Sequence, residues 1–194
     1  MNGIKKQSFI LASASPRRKE LLEKAGYKFD IVVSDVDESK ISTAGIDSAE
    51  FTRRAALAKA KDVAEKFPDR LVVAADTVVD YEGQIIGKPD SAKHAEEIIR
   101  KLFSKPHKVI TGIAFVKKDA GLEFVDCDIT TVYPKKMTEK QIAEHIASQT
   151  WQGKAGAYGI QDGADEFVEK IEGSYTNVMG LSMELLERMF GKIS

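Results

Sequence analysis

The chain has 194 residues, with hydrophobic residues at 43%, charged residues at 30% and a formal net charge of −1. A chain this long buries roughly 70% of its unfolded surface, so folding needs no disulfide or metal staple, and the near-neutral balance excludes a general nucleic-acid coat protein while leaving room for a local basic patch. The single cysteine, Cys127, excludes an internal disulfide and suits a reducing, cytoplasmic setting, and no apolar run approaches the roughly 20 residues of a membrane span.

Short apolar strands alternate with amphipathic helices. The opening MNGIKKQSFILASAS holds an apolar piece too short for a secretory signal, and SFILAS reads as the first strand. A helix follows: Ser15 suits the N-cap, Pro16 the first helical position, and Leu21, Leu22 and Ala25 form an apolar stripe before Gly26. KFDIVVS is a second strand. SAEFTRRAALAKAKDVAEKF is a long helix ending before Pro68, and RLVVAADTVVDYEGQIIGKP is a buried strand, a turn at Glu82-Gly83 and a return strand. DSAKHAEEIIRKLF is a helix. HKVITGIAFVKKDAGLEFVDCDITTVYP is a hairpin turning near Asp119 to Gly121, with Cys127 as a strand or core residue. TEKQIAEHIAS opens with Thr138 and Gln141 at capping-box spacing. The glycine-rich loop WQGKAGAYGIQDG, the strand FVEKIEG and the helix LSMELLERMF complete a mixed α/β pattern without repeats or linkers.

Chemistry concentrates at a few points. Arg17, Arg18 and Lys19 crowd the first turn of the Pro16 helix, an end already positive by about half a charge. Cations there make sense if an anion of high charge density docks on the free N–H groups, and arginine grips phosphate oxygens in a bidentate way. Side chains extending into solvent are the plain alternative. On the anion reading, removing either arginine is expected to weaken anion binding while leaving stability equal or slightly raised, since a cation leaves the positive end of the helix. Asp76 sits amid the apolar run LVVAADTVV, where a carboxylate is costly unless paired or metal-bound. It is a candidate general base or metal ligand, unless the strand ends at Ala75 and Asp76 only caps a turn. Asp37 and Glu38 in VDE could add a second carboxylate. Lys59 and Lys88 belong to no Walker A pattern, and no GxGxxG fingerprint is present. In the glycine-rich loop, Gln161 could read a base edge through its two-sided amide. His94, His107 and His145 are scattered without metal-ligand spacing and read as surface or core residues.

LASASPRRKELL, VDE, AADTVV, GKP, KAGAYGIQ and GSYTNVMGL occur in this order from the first strand to the last helix. The ordered set resembles the Maf family of nucleoside triphosphate pyrophosphatases. The resemblance implies a mixed α/β fold with a curved sheet, two lobes and a deep central cleft, as one domain over residues 1–194, and a homodimer. It implies hydrolysis between the α and β phosphates of a nucleoside triphosphate with help from a divalent cation, Mg or Mn. By motif match Asp76 is the catalytic acceptor. Ser13, Arg17, Arg18, Lys59 and Lys88 hold the phosphates, Glu38 and Asp76 hold the metal, and Arg17, Thr77 and Gln161 govern base choice. Arg after Pro16, Thr77 after Asp76 and YGIQ resemble the branch acting on dTTP and UTP, with modified pyrimidine nucleotides as further candidates. The branch acting on 7-methyl-GTP tends to carry Gln after the aspartate. Three positions depart from the family pattern: Asp162 and Ala164 stand where glycine is usual, and Ser182 replaces a proline. The alternative reading is a nucleotide-binding regulator of cell division acting through a protein partner. Stable nucleic-acid binding is not expected, because aromatics are 8% of residues in no stacking pattern.

Overall fold

The computed structural model describes residues 8–161 and 164–193. In chain order the elements are β1 (Phe9–Leu11), α1 (Pro16–Lys24), β2 (Phe29–Ile31), α2 (Ser48–Lys66), β3 (Val72–Tyr81), β4 (Gln84–Ile86), α3 (Ala92–Leu102), β5 (His107–Lys117), β6 (Leu122–Pro134), α4 (Glu139–Ala147), β7 (Val168–Glu172), α5 (Tyr175–Met179) and α6 (Met183–Ile193). The strands form one sheet in the order β2-β1-β3-β5-β6-β7, with β4 beside β3. β1 runs parallel to β2 and β3, and the remaining pairings are antiparallel. The fold is the mixed α/β sheet flanked by helices that the alternation of elements implies.

β3 organises the molecule because its side chains alternate between two faces. Val73 and Ala75 join Phe9, Leu22, Leu185 and Met189 in a core beneath α1 and α6. Val72 and Ala74 pack against Ala56, Ala60 and Val63 of α2. Further along, Val79 and Tyr81 enter a separate cluster with Ile98 and Ile99 of α3, Ile142 of α4, Trp151 and Tyr158. The central stretch of β3 therefore lies where the two ends of the molecule meet. Its alternation turns Asp76 toward α2 and Thr77 toward α1 and α5.

A glycine sets how closely α2 approaches. Gly112 lies opposite Asp76 in the β3–β5 register, and a Cβ there would sit 2.4 Å from the Thr52 carbonyl oxygen. Only a residue without a side chain lets the α2 backbone rest on the sheet at that point. Lys59, about two turns further along the helix, is thereby carried over Asp76.

Turn chemistry matches the sequence at most ends. The β3–β4 hairpin turns through Glu82 (φ 52°) and Gly83 (φ 83°), the two positive φ values of a type I′ turn. Both halves of the capping box between Thr138 and Gln141 are formed. Some details differ from the sequence reading, among them the first strand, which covers only Phe9–Leu11 of SFILAS. The strand expected over KFDIVVS covers only Phe29–Ile31, and the short α5 was not expected, because five residues are too few for a helical period to show. Its limits were still written in the chain, since Ser174 accepts from the Asn177 N–H at 3.1 Å and Gly180 ends the helix at φ 111°. Ser182 starts α6 in place of the family's usual proline. Its Oγ accepts from the Leu185 N–H at 3.2 Å and donates to Asp128 Oδ2 at 2.5 Å.

Candidate active site

A cavity of about 510 Å³ opens where the two ends of the molecule meet. Ser13, Arg17, Arg18, Glu38, Lys59, Asp76, Thr77, Lys88 and Gln161 all line it, whereas Asp37, the other carboxylate of VDE, lies outside the lining and caps a short turn by accepting from the Ser39 N–H at 3.1 Å. The N-terminus of α1 forms one wall. Ser15 holds the N-cap position but makes no side-chain cap bond, and the first turn contains no acidic residue. This end of the helix thus presents its positive potential to the cavity uncompensated.

Asp76 lies in the middle of β3, 5% exposed. The strand continues past Ala75, so Asp76 is no turn cap. Its Oδ1 accepts from Lys59 Nζ at 2.7 Å, and the same ammonium reaches Glu38 Oε1 at 2.6 Å. One cation therefore ties two carboxylates from different segments, and the Lys59 side chain is only 12% exposed. Burial alone would raise the Glu38 carboxyl, but the hydrogen bond and charge of Lys59, with Lys88 and Arg18 beyond it, hold it below its ordinary value. Lys88 itself is exposed at the cavity rim.

Arg18 differs from its neighbour Arg17. Its Nε donates to the Gly180 carbonyl at 2.8 Å, Nη1 to Ser13 Oγ at 3.1 Å and to the Ala75 carbonyl at 2.8 Å, and Nη2 to Thr77 Oγ1 at 3.1 Å. Burial lowers the pKa of its guanidinium, with Asp76 opposing and Arg17 adding to the effect. The side chain clasps β1's exit loop, the centre of β3 and the α5–α6 junction together. The expectation that its removal leaves stability equal or slightly raised does not fit this geometry, because the Ala75 and Gly180 carbonyls would each lose a charged donor. Thr77 is held further by Thr111 Oγ1 at 3.0 Å.

At the other end of the cavity, Gln161 Oε1 is a buried acceptor with no hydrogen-bond partner among the described residues. Such an atom awaits a donor. Of the departures beside it, Asp162 lies outside the described residues, as does the side chain of Ala164.

The family described as Maf-like protein matches residues 8–193. The chain belongs to the Maf family. Among curated relatives, the dTTP/UTP pyrophosphatase of Geotalea uraniireducens is 46% identical over 92% of this chain and 91% of that protein. The dTTP/UTP pyrophosphatase of Alkaliphilus metalliredigens is 44% identical over 95% of this chain and 97% of that protein. A solved structure of a HAM1 protein from Coxiella burnetii aligns with a TM-score of 0.48 at 14% identity, covering 96% of this chain and 98% of that chain.

The cavity also contains side chains given no role in the sequence analysis. Lys154, 9% exposed, lines the cavity from the glycine-rich loop, and Tyr158 lines it from the same loop. Their only signal in the sequence was their place in KAGAYGIQ. Among the described residues no group of three or more His, Cys, Asp and Glu converges, and no helix is long and apolar enough to cross a membrane.

His107 is buried, 2% exposed. Burial pushes its imidazole down to about 4 from 6.5, against the pull of the backbone at Lys105 and Leu102. The unfolded ring binds its proton near the higher value and the folded ring near the lower, so the unfolded state carries more protons throughout that window. Stability therefore rises with pH across it. Wild-type stability in urea is expected to be full at about pH 7 and to fall by roughly 2–3 kcal/mol through this group by about pH 4.5. His107→Gln should lose distinctly less over the same range, and equal losses in both proteins would show that other groups carry the effect.

Proposed function

We propose that this Maf chain hydrolyses dTTP and UTP to the nucleoside monophosphate and pyrophosphate. The observation that carries the reading is Asp76: a carboxylate 5% exposed, facing a cavity whose other charged walls are mainly cationic. A polyanionic triphosphate fits that field. The uncapped α1 N-terminus offers N–H groups to phosphate oxygens, and Ser13, Arg17, Lys59 and Lys88 surround the same space. Asp76 accepts the proton of the water that attacks the phosphorus, a role that needs hydrogen-bond reach and an ionised carboxylate. Cations already in place stabilise the charge that develops on the phosphates without reorganisation. Arg18 acts mainly by holding Ser13, Ala75 and Thr77 in position, since four of its five N–H groups donate to protein acceptors.

The donor set suits a divalent cation. Glu38 and Asp76 are two carboxylates sharing one ammonium, and Mg²⁺ or Mn²⁺ is commonly held by one or two carboxylates together with substrate phosphates. When bound, such an ion neutralises phosphate charge and acidifies water. Homodimerisation and a cytoplasmic location belong to the same proposal. The family resemblance implies the dimer, and a lone cysteine suits the compartment.

Base choice rests on Gln161. Uracil and thymine present an N3–H donor to Gln161 Oε1, a buried acceptor without a partner among the described residues, whereas N3 of cytosine has no hydrogen. The curated relatives are dTTP/UTP pyrophosphatases, which supports the same ranking. Pyrophosphate release from dTTP, UTP, CTP and GTP tests it. Wild type is expected to favour dTTP and UTP, and Gln161→Ala to lower kcat/KM for both by about tenfold and flatten the ranking. A lead for CTP or GTP in wild type, or an intact ranking in the variant, overturns the assignment.

A further inference from the structure

The loop that presents Gln161 is fastened to the scaffold by two histidines outside the cavity. His107 stands at the start of β5, with Nδ1 at 3.1 Å from the Leu102 carbonyl oxygen and Nε2 at 2.8 Å from the Tyr158 hydroxyl. A carbonyl only accepts, so Nδ1 carries the ring hydrogen. The neutral ring then offers a lone pair at Nε2, and the Tyr158 hydroxyl donates to it. The tyrosine hydroxyl hydrogen is thereby directed at His107, while the residue forms part of the cavity lining. Phe103 backs the ring edge-on, with centroids 5.4 Å apart.

The preceding residues are fixed as well. His145 Nε2 donates to the Ala157 carbonyl at 2.9 Å, and the Gly156 N–H donates to the Gly87 carbonyl at 3.1 Å. Gly156 (φ 73°) has no room for a side chain, since a Cβ would lie 2.7 Å from Val79 Cγ2. Ala157 takes the left-handed conformation at φ 61°, which is unfavourable for a residue with a Cβ and persists only when its surroundings hold it. Only Gly159 and Ile160 separate Tyr158 from Gln161, and Ile160 is 2% exposed.

We propose that His107 and Tyr158 are a positioning pair that sets base selectivity, by fixing residues 158–161 against the α3–β5 junction so that Gln161 Oε1 meets the base. This rests on the pyrimidine reading of the Gln161 pocket. His107 is not part of the cavity lining and the Tyr158 hydroxyl is turned onto it, so loss of the pair acts on base binding ahead of chemistry.

The test compares dTTP with CTP in wild type, Tyr158→Phe, His107→Leu and His107→Gln, with melting temperatures measured alongside. Tyr158→Phe removes only the hydroxyl. It is expected to raise KM for dTTP about tenfold, to change kcat less than about threefold, and to lower the dTTP-to-CTP ratio of kcat/KM about tenfold. His107→Leu should do the same. His107→Gln keeps an amide that donates to Leu102 and accepts from Tyr158, so it should restore most of the ratio. If His107→Leu fails to fold, Tyr158→Phe and His107→Gln carry the comparison. A ratio unchanged in Tyr158→Phe while melting falls means a merely structural contact and overturns the proposal, as does a ratio that collapses equally in His107→Gln. A wild type that treats CTP like dTTP overturns the base-pocket reading and this proposal with it, and is recognised from the parent enzyme alone.

Discussion

Asp76→Asn is expected to cut pyrophosphate release by roughly three orders of magnitude, within the range of a single general base, while the chain stays folded and still binds dTTP. The amide keeps the shape of the carboxylate, and its oxygen can accept from Lys59 Nζ, now 2.7 Å from Asp76 Oδ1. It cannot take a proton from water near neutral pH. Losing one side of a buried ion pair costs roughly 3–5 kcal/mol when the other charge is left bare. Here Glu38 stays at 2.6 Å from the same ammonium, so a loss of about 1–2 kcal/mol is expected. Removing a negative charge beside the triphosphate leaves affinity equal or higher. Single-turnover pyrophosphate release, dTTP titration by calorimetry and circular dichroism separate these terms. Near-normal hydrolysis by a folded variant would remove Asp76 from the chemistry.

Arg18→Ala is expected to lose stability and turnover together. Four hydrogen bonds disappear, and the carbonyls of Ala75 and Gly180 lose a charged donor. Each unsatisfied buried acceptor costs roughly 1–3 kcal/mol, so about 3–5 kcal/mol and a fall of roughly 10 °C in melting temperature are expected. Turnover falls because Ser13 and Thr77 lose their common anchor. Arg17→Ala should behave differently. It removes a cation from a helix N-terminus, which relieves a few tenths of a kcal/mol, and leaves the four bonds of the Arg18 clasp in place, so it should lose less stability than Arg18→Ala while KM for dTTP rises. Melting curves and kcat/KM for both variants decide the matter. Equal stability losses in the two would show that Arg17 is also part of the clasp.

The contrast between these arginines shows where local reasoning stops. In the sequence they are equivalent, two cations in one first turn. Successive helical residues point about 100° apart, and which of them meets the sheet depends on how α1 docks. That is decided by the core of Phe9, Leu22 and Leu185, where α6 from the far end of the chain closes over β1 and α1. The histidines make the same point. Their spacing excluded a metal motif, but His107 meets Tyr158 only because the β5 start and the glycine-rich loop close on α3, 51 residues apart in the chain.

By itself the sequence determined the strand and helix alternation, the capping box of Thr138 and Gln141, the exposed helix N-terminus and the anomaly of a carboxylate within an apolar strand. These are local properties, set by side-chain periodicity, turn residues and the cost of burying charge. It also carried the ordered motifs that mark the family. The tertiary structure alone decided that Lys59 bridges Asp76 and Glu38, that Arg18 is committed to protein acceptors, and that Gln161 keeps a buried oxygen without a partner among the described residues. Such facts depend on the register of β3 against β5 and on the close seat of α2 over Gly112. Hydrogen bonds and ion pairs form within about 3–4 Å, and only packing between segments far apart in the chain brings groups to that range.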